Sequence, residues 1–444
     1  MNNTKYDIQI RIPASIYKLM LDDLQRVHPY AFERVGFLYT TSKFEQGNKI
    51  LVLAKRYVPV DDSDYIEDDS VGAKINSTSI RKSMQLLLDN HEGGFHIHLH
   101  FHTGKPTPSY IDKEGIPGII ESFGNISPKQ THGYIILSKD SIFATVKYGR
   151  EESYYEPSKV SIVGNPMKFI YSKNGKKPKK KNNDRQSFLG VEYPTNFENI
   201  KVGIIGYGGG GSHIGQQLAH LGVKKICVFD YDRIELSNLN RLVGSQLKDV
   251  KKRAFKTEIA KRLIKGVIPT ANVELINDKW QNDSVSLQSC DIIIGCVDSY
   301  SERNQLEAEC RRYLIPYIDI GMDVKSLDGD YTMFGQVILS MPGKPCMHCT
   351  GFLTDEKLGI EAAKYGDVGG RPQVVWSNGV LASTAVGVFV NLTTGWAKTN
   401  NENIYYEYDG NLGIIKEHPR IRYIPTKCTH YTFENIGSPV FKKI

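Results

Sequence analysis

Val202-Gly203-Ile204-Ile205 runs directly into Gly206-Tyr207-Gly208-Gly209-Gly210-Gly211-Ser212, and a helical pattern opens near His213. An apolar strand, a glycine loop and a helix start in immediate succession suit a polyphosphate. Glycines let backbone N–H groups approach the anion, and the helix N-terminus adds a favourable dipole. The next apolar run, Lys225–Phe229, ends in Asp230-Tyr231-Asp232, where a carboxylate can accept from ribose hydroxyls. Together the two features predict a nucleotide site that uses Gly206, Gly208, Gly209, Gly211, Asp230 and Asp232.

Outward from this stretch, apolar strand-like runs alternate with helical patterns. Helices are expected at Ser212–Leu221, Ala254–Lys265 and Glu302–Tyr313, and strands at Val202–Ile205, Lys225–Phe229, Val273–Ile276 and Asp291–Val297. Such alternation, with continuously apolar strands, predicts a parallel sheet covered on both faces. Valine and alanine around Val380–Val390 are interrupted by Ser383, Thr384, Gly387 and Asn391. They read as a buried helix and not a membrane span.

Gly206, Gly208 and Gly211 also satisfy the spacing of dinucleotide-binding enzymes, so a hydride-transfer enzyme competes on those residues alone. Later residues decide against it. Ser237-Asn238-Leu239-Asn240-Arg241 follows the acidic pair, Lys256 opens the next helix, and Asp298 ends the strand that starts at Asp291. Hydride transfer needs no such set. A triphosphate with its metal does, because Arg and Lys neutralise phosphate charge and a strand-end Asp can hold Mg²⁺.

GYGGGGS, DYD, SNLNR and CVDSYSER resemble the ThiF/MoeB and ubiquitin-activating-enzyme superfamily, over about residues 184–395. The resemblance implies ATP-dependent adenylation of the C-terminal glycine of a ubiquitin-like (β-grasp) protein, with release of pyrophosphate. It places Asp230 and Asp232 at the ribose, Asn238, Arg241 and Lys256 at the phosphates, and Asp298 at Mg²⁺. Lys256 sits two residues beyond the usual family spacing. Asp184-Arg185-Gln186 resembles an entry motif whose Arg reaches the partner protomer's ATP, so Arg185 implies a homodimer. Attack of a carboxylate on the α-phosphate needs no general base, so positioning and charge neutralisation are the catalytic tasks.

Pro345-Cys346-Met347-His348-Cys349 matches the zinc half-site of the same superfamily. A tetrahedral structural site needs four ligands. The second C-x-x-C is absent, and Cys428 and His430 are the candidate completers. A structural zinc and a metal-free hairpin both stand as readings of Cys346 and Cys349. Thr350–Trp376 contains no cysteine, whereas thioester-forming members place one there. Cys346 or Cys349 as nucleophile is the residual alternative. Cys227, Cys290, Cys296 and Cys310 read as small core residues.

The N-terminal part carries a second constellation. In Gly94-Phe95-His96-Ile97-His98-Leu99-His100-Phe101-His102-Thr103, strand alternation puts four histidines on one face. Stacked imidazoles make poor core and a good metal site. With Asp112 as third protein ligand, Zn²⁺ keeps an open position for water. H-x-H followed by Pro108-Ser109-Tyr110-Ile111-Asp112 is similar to the JAMM (MPN/JAB) metalloprotease family, which cleaves ubiquitin-like proteins from conjugates or trims their precursors. That resemblance implies Glu33, in Phe32-Glu33-Arg34-Val35, as general base and Ser109 as oxyanion stabiliser. Register favours His100 and His102 as ligands with Asp112, and His98 with His100 is the alternative. Thr103 or Phe101 stands where the family has a proline.

A Lys-, Asn-, Gly- and Pro-rich stretch, including Lys176 to Lys181, cannot bury apolar surface and marks a linker. The expected organisation is α/β throughout: a JAB-like domain at 1–160, a Lys-rich linker at 161–183 and a Rossmann-like, doubly wound ThiF-type domain at 184–444. The 444 residues suffice for two large domains. Much of the net charge of +7 sits in the linker, a solvated run and not a basic face with interleaved aromatics, so no nucleic-acid partner is inferred. The N-terminus lacks a signal-peptide pattern and the seven cysteines suggest a reducing compartment, the cytoplasm. The functional expectation is an activating enzyme fused to a zinc isopeptidase or precursor-trimming domain, as in bacterial ubiquitin-like conjugation, with a separate conjugating enzyme as a further partner. Sulphur-carrier trimming and activation for thiocarboxylate formation is one rival. A binding scaffold with dead sites is the other.

Overall fold

A computed structural model describes residues 5–27, 29, 31–45, 47–68, 70–172, 185–363, 372–399 and 401–437. They divide into two compact units. One holds 5–163, 168–172 and 433–437, and the other holds 164–167 and 185–432.

The first unit contains β1 (Asp7–Pro13), α1 (Ala14–Leu24), β2 (Val35–Glu45), β3 (Lys49–Pro59), α2 (Ser77–Asn90), β4 (Gly93–Leu99), α3 (Tyr110–Ile126), β5 (Thr131–Leu137), β6 (Ile142–Tyr148), β7 (Lys159–Val163) and β8 (Lys168–Tyr171). Its mixed sheet has the order β6-β5-β4-β2-β3-β1-β7-β8. Period-two alternation assigns the faces. Leu38, Phe95, Ile97 and Leu99 pack in one core with Ile16, Met20 and Leu24 of α1. Val35, Phe37 and Tyr39 pack in another with Leu87 of α2 and Ile116, Ile120 and Phe123 of α3. His96 and His98 of β4 alternate with Phe95 and Ile97, and His96 meets the Phe37 ring edge-on at 6.0 Å. The histidine face of β4 is therefore the face covered by α3.

The second unit contains α4 (Tyr193–Asn199), β9 (Lys201–Ile205), α5 (Gly209–Leu221), β10 (Lys225–Phe229), α6 (Leu247–Lys251), α7 (Lys256–Val267), β11 (Asn272–Ile276), α8 (Ser284–Gln288), β12 (Ile292–Gly295), α9 (Tyr300–Arg312), β13 (Tyr317–Leu327), β14 (Asp330–Ser340), α10 (Asp355–Ala363), α11 (Val375–Thr394), β15 (Ile404–Asp409) and β16 (Ile414–Glu417). The sheet order is β11-β10-β9-β12-β13-β14-β15-β16. The strands from β11 to β13 are parallel, and β14, β15 and β16 add antiparallel pairings. The expected parallel sheet is thus the core of a mixed one. Strand order reverses between β9 and β12, which opens a crevice at their carboxyl ends, where ligands of open α/β sheets bind.

α11 is long and apolar enough to cross a membrane by length and composition. Leu381, Ala385, Phe389 and Leu392 are buried in the unit, as a core helix requires. Two boundaries are corrected. The linker expected from 161 begins too early, because Ser161, Ile162 and Val163 pair with β1 and β8 follows. The second unit does not run to 444, because Phe433–Asn435 forms a short 3₁₀ turn in the first unit and Ile436 beside it is buried. Lys176 to Lys181 and Asp184 lie outside the described residues.

Candidate functional site

A crevice of about 370 Å³ opens at the strand reversal. Its lining includes Gly206, Gly208, Gly209, Asp230, Asp232, Arg241, Lys256 and Asp298, contributed by four separate loops. Gly206 has φ +85°, a conformation that only glycine adopts without strain. The chain then turns into α5, whose N-terminus faces the crevice with Gly208 as its N-cap. Asp230 shapes this loop: its carboxylate accepts from Tyr207 N at 2.6 Å and from Asp232 N at 2.8 Å. Burial raises the Asp230 carboxyl above its ordinary range, with Lys256 opposing. Asp232 is the more exposed acceptor, and Lys256 Nζ lies 2.5 Å from it and 3.9 Å from Asp230. Lys256 is the first residue of α7 and lines the crevice. Arg241 Nη1 donates to Ser237 O at 2.8 Å and Asn240 Oδ1 at 3.2 Å, a brace that holds the guanidinium against the crevice.

Several expected residues do not line this space. Asn238 closes a turn instead, its Oδ1 accepting from Glu235 N at 3.1 Å, so it is spent on the backbone that presents Arg241. Gly211 sits where helix and strand touch: a Cβ there would lie 2.1 Å from Gly206 O. Arg185 is exposed and outside the lining. Cys296, read as core, is half-buried on the crevice wall. Sequence reasoning missed Asn378 of α11, which lines the crevice and whose amide would meet a Cβ on Gly209 at 2.6 Å. It also missed Tyr231, Lys279, Trp280 and Glu302. Rossmann topology, with its three strand-end loops on that side, was the available signal for these four.

In the first unit, β4 and the first turn of α3 bring ligand-type atoms together. His98 Nε2 lies 3.1 Å from His100 Nε2 and 3.3 Å from Asp112 Oδ1. His100 Nε2 lies 3.6 Å from Asp112 Oδ2 and 4.0 Å from Glu33 Oε1. A tetrahedral zinc with bonds of about 2.0 Å sets its ligand atoms about 3.3 Å apart, so the set fits such an ion. Ser109 caps α3: its Oγ accepts from Asp112 N at 3.1 Å, and Asp112 Oδ2 accepts from Ser109 N at 2.7 Å. Partial burial works to raise the Asp112 carboxyl, but His98 and the Ser109 contacts hold it well below the usual carboxylate range. The Glu33 carboxyl is raised, chiefly by burial; the His98 charge opposes this and the smaller Asp112 charge adds to it.

The favoured register is corrected. His102 N donates to His100 O at 2.9 Å, a tight turn that ends strand alternation just past Leu99. The His102 ring is exposed, with Nδ1 2.9 Å from Thr103 O. His98, His100 and Asp112 form the candidate ligand set, with Glu33 beside them.

Cys346, Cys349, Cys428 and His430 also converge. The two sulfurs of Cys346 and Cys349 are 3.6 Å apart, and each lies 3.5 Å from His430 Nδ1. Tetrahedral zinc with bonds of about 2.3 Å to sulfur and 2.0 Å to nitrogen sets S–S near 3.8 Å and S–N near 3.5 Å, so this set fits as well. Neither Cys346 nor Cys349 lines the nucleotide crevice, which favours ligand over nucleophile. His348 stacks on His430 with centroids 5.1 Å apart and is tied to Asn304 at 2.8 Å.

Residues 182–429 match the ThiF family. A molybdopterin-synthase adenylyltransferase of Haemophilus influenzae is 32% identical over 136 residues, 30% of this chain and 54% of that protein. Ubiquitin-like modifier-activating enzyme 5 of Drosophila persimilis is 28% identical over 151 residues, 30% and 38% of the two chains. The chain thus spans about half, or less, of the length of these relatives. A solved structure of E. coli MccB with ATP is 24% identical, with a TM-score of 0.42, covering 52% of this chain and 68% of that one. The family match spans more than half of the 444 residues and contains every residue that lines the crevice, and the chain belongs to the ThiF family.

Proposed function

We propose that the chain uses ATP to activate the C-terminal carboxylate of a ubiquitin-like protein. The observation that carries the reading is the convergence of glycine loop, Asp232, Arg241, Lys256 and Asp298 on one crevice. Backbone N–H groups at the start of α5 hold the triphosphate, and Asp232 takes the ribose hydroxyls. A carboxylate oxygen of the terminal glycine bonds to the α-phosphorus, the bond from that phosphorus to the bridging oxygen breaks, and pyrophosphate leaves. Arg241 and Lys256 neutralise the charge that gathers on the departing oxygens. Mg²⁺, for which Asp298 is the candidate ligand, supplies further charge neutralisation when bound. Arg185 serves a second protomer's crevice in a homodimer, and a conjugating enzyme takes the activated protein onward.

The first unit is, on this reading, a zinc isopeptidase or precursor-trimming domain, supported by the spacing of His98, His100 and Asp112 and by Glu33 beside them. Zinc held there supplies Lewis acidity and a more acidic water. Glu33, half-buried with a raised carboxyl, is suited to take and return a proton. Ser109 steadies Asp112 by capping α3, and the resemblance to the JAMM family assigns its hydroxyl to the developing oxyanion. Cys346, Cys349, Cys428 and His430 would hold a second, structural zinc. The cytoplasm is the compartment that suits a chain whose seven cysteines stand outside any disulfide.

Label exchange between pyrophosphate and ATP, dependent on a β-grasp protein ending in glycine, tests the activation. Its absence with every such protein would leave the scaffold reading. The cysteine-free stretch Thr350–Trp376 favours one second reading, a sulphur-carrier system. Mass spectrometry of the partner separates the two: a lysine conjugate supports the first, a thiocarboxylate the second.

A further inference from the structure

One side of the crevice carries chemistry that phosphate and ribose binding leave unused. Tyr231 follows β10, Lys279 and Trp280 follow β11, and Glu302 stands in the first turn of α9 after β12. In an open α/β sheet the glycine loop takes the phosphates and the carboxylate after the second strand takes the ribose. The base then continues past that carboxylate. Because β10 separates β11 from β9, Lys279 and Trp280 lie on the far side of Asp230 from the glycine loop.

Trp280 is only 2% exposed, and its indole N–H faces the Glu302 carboxyl as a side-chain donor, so the ring fixes where that carboxyl stands. Lys279 Nζ stands 5.7 Å from the centroid of the Tyr231 ring, giving this side an aromatic face with a cation over it. Glu302 shares the wall, and its carboxyl is raised by burial first and by the charge of Asp298 second, with Lys279, Arg303 and Trp280 acting in the other direction. The half-buried carboxylate offers acceptors only.

We propose that Glu302 reads the exocyclic amino group of the nucleotide base, with Trp280 as its positioning residue, so that the crevice selects ATP over 6-oxo purine nucleotides. This rests on reading the crevice as a nucleotide site. A carboxylate accepts from the 6-amino group of adenine, whereas a 6-carbonyl in the same place sets two acceptors against each other. Sites built on such a bond reject the mismatched analogue far more strongly than shape alone allows.

The test compares binding of ATP and ITP, each with Mg²⁺, by titration calorimetry on the full chain. ITP differs from ATP at the 6-position, where a carbonyl replaces the amino group. The wild type is expected to prefer ATP by at least about tenfold. Glu302→Gln, whose amide can also donate, should bring the two affinities within about threefold. Trp280→Phe should narrow the preference in the same direction. Equal binding of ATP and ITP by the wild type overturns the proposal. So does Glu302→Gln weakening both alike, as loss of a magnesium-side carboxylate beside Asp298 would. If neither nucleotide binds the wild type, the reading of the crevice itself fails, and this proposal fails with it.

Discussion

Alanine at Gly211 and at Gly208 should separate two tasks performed by one loop. At 211 the new Cβ would fall 2.1 Å from Gly206 O, and real Cβ atoms essentially never come within 3.0 Å. The start of α5 must therefore retreat from β9 by at least about 0.9 Å, the difference between those distances. The obstacle is backbone and cannot rotate aside, so the cost belongs at the upper end of overpacking, about 3 kcal/mol. At 208 nothing lies within 4 Å of the added atom, and stability should stay within about 0.5 kcal/mol of the wild type. That methyl stands on the crevice lining. It would hold a phosphate away from one or two N–H groups, whose charge-assisted bonds contribute about 1.5–3 kcal/mol each. Affinity for ATP should fall about 100-fold. Chemical denaturation gives the first quantity and titration calorimetry the second. A Gly208→Ala protein that binds ATP like the wild type, or is destabilised like Gly211→Ala, refutes the division.

Metal analysis by mass spectrometry should find His98→Ala and His100→Ala short of the N-terminal zinc, with affinity lower by about 100-fold or more, and His102→Ala unchanged. Zinc loss in His102→Ala would restore the other register. Wild-type protein should carry two zinc ions per chain and Cys428→Ser one; equal content contradicts the Cys/His site. Lys256→Ala should weaken ATP binding about tenfold, less at high salt, because a cation facing the phosphates is removed. Acid should destabilise the first unit through His132, which is buried with Nδ1 accepting from Gly94 N at 3.2 Å and Nε2 2.9 Å from Ser127 O. Burial lowers its pKa to about 4, so the unfolded chain takes up a proton near the ordinary histidine value of about 6.5 before the folded one does. This contribution is complete above pH 6.5 and lost as pH falls towards 4, up to about 3 kcal/mol. His132→Asn should flatten that part of the stability profile measured by denaturation.

The sequence exposed the glycine loop, the acidic pair and the strand–helix alternation because each is a local pattern with a local cause. What it concealed depended on where chains end or bend. The histidine register was set by a tight turn after Leu99 that alternation cannot foresee, and Ser109 supplied the second fixed point by capping α3 at Asp112. Asn238 belongs by type at a phosphate, yet its carbonyl oxygen is used by Glu235 N. Cys428 and His430 are some eighty residues from Cys346, so only the fold could complete that tetrad. β7 and β8 were hidden because a polar, Lys-rich run directly follows two short strands, and composition averaged over both. Asn378 comes from a helix read only as core, and its role against Gly209 follows from the packing of α11 on α5.

The most direct test is a crystal structure of the full chain with Mg²⁺ and a non-hydrolysable ATP analogue. The triphosphate is expected at the N-terminus of α5 beside Gly208, with the ribose on Asp232 and the α-phosphorus within reach of Arg241 and Asp298. A nucleotide bound elsewhere, or a crevice empty at saturating analogue, would contradict this.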